Sequence, residues 1–147
     1  MVSVEDVVGL FRLLVQGAST ARAALSGQSL AAAVAGRVYA TAPLDADAAT
    51  LPRPCVVVDL LGGDGDDTGT VQNLTLHLYA YSDAGQGQAT ALYEALRAEL
   101  EGARLVDPAG AITAAGYARE SARPDIGHND VMKSYYARGT WEAHVAG

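Results

Sequence analysis

Seventeen acidic against ten basic residues in a chain of 147 leave a formal net charge of −7. That balance argues against sequence-independent binding to a nucleic-acid backbone, which needs clustered Lys and Arg. A lone cysteine, Cys55, excludes an intrachain disulfide and a cysteine-based metal cluster, and no run reaches the roughly 18 consecutive apolar residues of a membrane span.

The bases are scattered Arg and a single Lys, Lys133. A chain of this length buries roughly 68–70% of its unfolded surface, enough for one core, and residues 1–147 read as one domain. Acids in the first six residues, where a secretory leader carries Lys or Arg, lead to the expectation of folding in a cytoplasm. Ser3 caps the first helix, with Glu5 and Asp6 in its opening turn. Val4, Val7, Val8, Phe11, Leu14 and Val15 then make one apolar stripe, and Gly17 ends it. A second helical stretch covers about 20–35, interrupted near Ser26-Gly27. After Gly36-Arg37-Val38-Tyr39 comes a loop, 41–54, in which Pro43, Pro52 and Pro54 exclude helix and central strand.

Residues 55–61 are β-branched and apolar, as in a central strand covered on both faces. Residues 62–69 form a turn. In 71–81, Leu74, Leu76, Leu78 and Ala80 face one way, and Asn73, Thr75, His77, Tyr79 and Tyr81 the other. The two strands pair as an antiparallel hairpin. An amphipathic helix follows over 86–101, with Ala89, Leu92, Leu96 and Leu100 buried and Gly102 as its stop. A strand at 111–121, a turn over 121–130 and an alternating strand over 131–145 complete the order α-α-β-β-α-β-β. This is an α+β domain: two to three helices on an about four-stranded, mainly antiparallel sheet.

Motifs for chemistry are few. The carboxylates Asp64, Asp66 and Asp67 lack the alternate spacing and terminal Glu of a calcium loop, and read as a solvated hairpin tip. The glycines between Ser82 and Thr90 precede a helix but carry no Lys for a phosphate. His77, His128 and His144 lie in separate elements without ligand spacing. Cys55, within an apolar run, reads as a small buried hydrophobe. No catalytic, cofactor-binding or metal-binding residue is assigned. Aromatic residues stand out instead: Tyr79 and Tyr81 leave the hairpin opposite its leucines, and Tyr135, Tyr136 and Trp141 enrich the last strand. Aromatics carry much of the energy of subunit contacts, which makes Tyr79, Tyr81, Tyr136 and Trp141 candidate interface residues.

The helical first third ending in Gly36-Arg37-Val38-Tyr39, then Leu51-Pro52-Arg53-Pro54 leading into Cys55-Val56-Val57-Val58-Asp59, a Gly/Asp turn, the strand from Val71 to Ala80 and the helix around Ala89–Leu100 form a characteristic succession. It resembles the tail terminator, or tail completion, proteins of long-tailed bacteriophages and gene transfer agents, over about residues 5–145. The resemblance implies a non-enzymatic virion protein, assembled in the bacterial host cytoplasm, that forms a hexameric ring on the tail tube. Such a ring stops tube elongation and offers a joining surface to the head connector or neck protein. No cofactor, specific nucleic-acid binding or membrane contact is implied. On this reading Leu44, Asp45 and Asp47 in the long loop, and Asp64, Asp66 and Asp67 in the turn, are candidate assembly-contact or lumen positions. Three rivals remain: a head-completion or neck subunit, a small ligand-binding or enzymatic domain using the cleft beside the helix that starts near Gln86, and a cytoplasmic adaptor that binds a protein partner tolerant of acidic surfaces.

Overall fold

A computed structural model describes residues 3–40, 52–65 and 71–147, with the side chains of Asp64 and Val71 outside that description. Helix α1 (Val4–Gln16) starts in a reciprocal cap. The Ser3 hydroxyl accepts the Asp6 N–H at 3.1 Å, and the Asp6 carboxylate accepts the Ser3 N–H at 3.4 Å. Two otherwise orphaned donors are thereby satisfied. Its buried stripe is Val7, Val8, Leu10, Phe11 and Val15, whereas Val4 is exposed.

The second helical stretch is shorter than its composition suggests. Ser26 and Gly27 both take positive φ (56° and 83°), which breaks the run into a 3-10 turn (Ala23–Leu25) and a short α2 (Leu30–Val34). Gly27 and Arg22 close the intervening loop through Gly27 N–H to Arg22 O at 2.9 Å and Arg22 N–H to Gln28 O at 3.0 Å. Ser29 then caps α2 by accepting the Ala32 N–H.

The sheet has five strands in the order β1-β2-β3-β5-β4: β1 (Val38–Ala40), β2 (Cys55–Gly65), β3 (Val71–Ser82), β4 (Ala115–Asn129) and β5 (Ser134–Ala146). Helix α3 (Gln86–Leu100) lies between β3 and β4 in the chain. The α+β class holds, but the four-strand count and the order α-α-β-β-α-β-β are corrected by β1. This strand pairs parallel with Val56–Val58 and makes the sheet mixed. Three residues are too few to show alternation, so only the tertiary partner reveals it.

Strand β2 runs past Leu61 to Gly65 through a bulge between Leu60 and Gly62, so the expected turn at 62–69 narrows. The expected turn at 121–130 is strand as far as Asn129. Two irregularities, at Glu120/Ala122 and Ala122/Asp125, absorb Pro124, and at a sheet edge its missing N–H breaks no ladder bond. The turn into β5 is instead 130–133. There the Asn129 side chain accepts the N–H groups of Val131 and Met132, both at 3.0 Å.

All three helices cover one face of the sheet. Val56, Val58, Leu76, Leu78, Ala80, Trp141, Ala143 and Val145 meet Phe11, Leu30, Val34, Leu92, Tyr93 and Leu96 there. Each fully buried Leu or Val contributes about 1.5–3 kcal/mol. A polar chain crosses this core. Trp141 Nε1 donates to Tyr93 Oη at 3.0 Å, Tyr93 Oη donates to Glu120, and Arg97 Nη2 meets Glu120 Oε1 at 2.6 Å. Burial pushes the Tyr93 hydroxyl up, and its bond to Glu120 adds to that. Burial raises Glu120 as well, but the Arg97 and Tyr93 bonds outweigh it and hold the carboxyl below its usual range.

Gly139 makes room for this chain, because a Cβ there would lie 1.6 Å from Tyr93 Oη. Gly139→Ala is expected to lower unfolding free energy by about 2–4 kcal/mol through overpacking and a broken buried hydrogen bond. Gly87→Ala, in α3 with nothing within 4 Å of the new Cβ, is expected to be neutral or to stabilise by about 0.5 kcal/mol. Urea titration of both variants checks the pair. A second outcome follows from the Glu120 shift. A carboxyl depressed in the folded state adds stability above its unfolded value, and that stability is lost as pH falls through the folded one. Stability of the wild type therefore drops below about pH 4.5, and denaturation curves of Glu120→Gln should show a flatter acid limb.

Candidate functional site

The sheet face turned away from the helices carries no helix among the described residues. Cys55, Val57, Tyr81 and Met132 are nonetheless buried on it, with Tyr39, Tyr79 and Tyr136 half-buried around them. Alternation along β2, β3 and β5 brings these side chains to one side. The 130–133 turn, pinned by Asn129, lays Met132 over them. Tyr79 and Tyr81 stack at 5.4 Å between ring centroids, and Tyr136 meets them at 5.9 and 6.0 Å. Such pairs add roughly 0.5–1.5 kcal/mol beyond area burial. Burial pushes the Tyr81 hydroxyl well above the phenol range, with the Asn129 side chain beside it pulling the other way.

Further along the same face the surface turns polar. Arg138 reaches over the Tyr79 ring at 5.8 Å and pairs with Asp125 at 2.6 Å. His77 lies opposite Asp59 in the register. Burial and then Arg138 lower the His77 pKa, so the ring is neutral at pH 7. His144 binds Asn73 and touches the Tyr117 ring, while His128 meets Asp130 at 3.0 Å. The three histidines stay apart, and among the described residues no group of His, Cys, Asp and Glu is placed to hold a metal ion. The start of α3 is closed by its own neighbours: Gln86 Nε2 donates to the Tyr136 carbonyl at 3.0 Å, and the Ser82 hydroxyl binds Gln88.

Of the candidate interface residues, Tyr79, Tyr81 and Tyr136 are brought together. Trp141 is not with them. Its register with Leu76 puts it on the leucine side, where it is 0% exposed beneath α3. Tyr81 is also fully buried, so Tyr79 and Tyr136, with Tyr39, carry what the cluster shows to solvent. Leu44, Asp45, Asp47, Asp66 and Asp67 lie outside the described residues, and Asp64 is described only as part of the β2 backbone. Sequence reasoning missed Met132, whose place depends on the turn, and the tie between Glu120 and Tyr93, for which the signal was a glycine at an inward position of β5.

Open grooves lie at one margin of the sheet and over its face. One of about 640 Å³ runs along the outer side of β4, between Gly102, Ala103 and Arg104 and residues 115–119. Another, about 490 Å³, sits over Leu61, Gly63, Asn73, Glu142 and His144. The isolated bridge Leu105↔Gly116 closes the inner end of the first. Asp107 fixes the connection beyond it by accepting the N–H groups of Ala109 and Ile112, both at 2.9 Å. The Ile112 bond and then that of Ala109 hold its carboxyl low.

Cys55 sits at the floor of the tyrosine cluster, where burial raises its thiol to about 12. Almost no thiolate exists near neutrality, and the thiolate is the reactive form. A colorimetric thiol reagent at pH 8 is expected to leave the native protein unmodified and to titrate one thiol after unfolding. Rapid native labelling would mean that the cluster opens. No protein-family model matches the chain, and no curated protein matches it either.

Proposed function

We propose that this chain is a structural virion subunit that caps the tail tube of a long-tailed phage or gene transfer agent, ends its elongation, and offers the joining surface for the head connector. Two things support the reading: the segment succession described above, and a sheet whose four antiparallel strands β2-β3-β5-β4 carry helices on one face. The short β1 is an addition to that plan.

The observation that carries this over an enzymatic reading is where the shifted ionisable groups sit. Glu120 is committed to Arg97 and Tyr93, Arg138 to Asp125, and Asp107 to backbone N–H groups. Each closes a structural contact instead of converging on a groove. A catalytic acid or base needs reach to a substrate proton, which these bonds occupy. The half-buried tyrosines and open sheet margins are surfaces of the kind that subunit contacts use.

Particle imaging of a null mutant tests the assignment. Abnormally long tails are the expected result, while filled heads without tails would move the protein to the neck. Deleting residues 44–50 is expected to disturb tail length or head joining, and normal particles would remove that loop from assembly. Replacing Asp64, Asp66 and Asp67 with Asn is expected to slow genome ejection if these acids face passing DNA and repel it. An unchanged rate would remove that role.

A further inference from the structure

We propose that copies of this chain join edge to edge, with the outer side of β2 at 59–65 of one copy pairing antiparallel with the outer side of β4 at 117–120 of the next. The inference deepens the ring reading above and rests on it for the number of copies, but the contact itself follows from strand topology.

At one end of the sheet, among the described residues, no strand pairs with either margin, and residues 102–104 flank β4 only across an open groove. β1 covers β2 only at Val56–Val58, and among the described residues no strand pairs with the outer side of 59–65. On β4, outward backbone bonds are used at Gly116 alone, by Leu105 at 2.6 and 2.9 Å. The registers put these stretches level. Gly62 aligns with Arg119 across Thr75 and Glu142, Gly63 with Ala118 across Leu74 and Ala143, and Asp64 with Tyr117 across Asn73 and His144.

The strand count then sets the junction. Four antiparallel strands separate the two margins, and four is even. A neighbour related by rotation about an axis along the strands therefore presents β2 antiparallel to β4. Outward and inward bonding alternate along an antiparallel strand. Gly116 bonds outward, so Ala118 and Glu120 do too. Carried across the registers, the same alternation leaves Gly63 outward on β2. Gly63 and Ala118 thus offer matching donors and acceptors at one height, with no axial shift.

Shape and charge agree with that pairing. Leu61, the extra residue of the β2 bulge, is 51% exposed, and the largely apolar groove beside β4 can receive it. The β2 margin carries Asp59, and the β4 margin carries Arg104 and Arg119, the latter side chain 73% exposed and paired with Glu142 at 3.2 Å. The competing margin is closed at Val38. Arg12 Nη2 donates to the outward Val38 carbonyl of β1 at 2.8 Å, and the Val38 N–H is taken by Gly36 O. Blocking one edge while leaving another open selects a single register. The contact joins two different patches, so it propagates head to tail and closes into a ring when the rotation allows.

Asp64→Cys combined with Tyr117→Cys tests it. These positions form a non-hydrogen-bonded pair across the junction, at a Cα separation of about 4.5 Å, within disulfide range. Oxidation of the concentrated double variant is expected to give a reducible ladder of trimers and larger species, with neither single variant doing so. In the unmodified protein, amide exchange at Gly63 and Ala118 is expected to slow as concentration rises. A double variant that stops at monomers or dimers, together with exchange independent of concentration, would overturn the contact. The two proposals can fail separately. A ladder from a protein whose null mutant makes normal particles keeps the junction and removes the tail role, and the reverse pattern removes the junction alone.

Discussion

The Tyr93 hydroxyl occupies the space where residue 139 would carry a side chain, and the rest of the domain is arranged around that fact. Through this oxygen, Trp141 of β5, Glu120 of β4 and α3 are bound into one unit. Arg97, one turn further along α3, closes the far side of Glu120. A partly buried carboxylate without partners would be costly to hold charged. Here two donors compensate it, and the network fixes the angle at which the helix crosses the sheet. The leucines of β3 and α3 supply most of the apolar burial, but they tolerate sliding. A bonded chain of four side chains does not.

Once one face is committed to the helices, the other must reach solvent or a partner. The structure divides it. Near Cys55 the face is apolar and aromatic, roofed by Met132. Towards the β2–β3 connection it becomes polar, with Asp59, His77, Arg138 and Thr140. The strands do not end together either. Among the described residues β1 pairs with β2 only at Val56–Val58, and the irregularities at 120–125 interrupt the ladder between β4 and β5. The margins left open are consequently local, a few residues long, and at one end of the sheet. Short open edges of this kind suit specific pairing, where a long flat edge would invite aggregation.

Ionisable groups take part mainly in holding elements together. Arg22 binds Glu99 at 2.8 Å and ties the 3-10 turn to α3, while Arg53 binds Asp83 at 2.7 Å beside the entry to β2. Arg37 reaches the carbonyls of Ala33 and Pro54 and links α2 to the approach of β2. With nine Arg and one Lys, the chain relies on a planar, multi-donor group that bridges backbone oxygens across elements.

The sequence alone settled the parts governed by short-range pattern. The Ser3 cap and apolar stripe of α1, the clean alternation of β3 and β5 and the limits of α3 all follow from periods of 3.6 or 2 and from capping chemistry, whereas the strand expected to be covered on both faces over 55–61 is so only at 55–58, with Leu61 exposed. It could not show β1, which is three residues long and exists because Val56–Val58 is beside it. Nor could it show the length of β4, since Pro124 reads as a break until the strand is known to lie at an edge. It grouped Tyr79, Tyr81, Tyr136 and Trp141 by residue type, although Tyr136 and Trp141 lie five apart and alternation alone puts them on opposite faces; what it could not show is which face the helices cover. The open margins were equally hidden: whether a backbone N–H is satisfied depends on what lies about 4.8 Å to the side. Local sequence sets the conformation of a strand, and only the assembled sheet determines which of its bonds remain free.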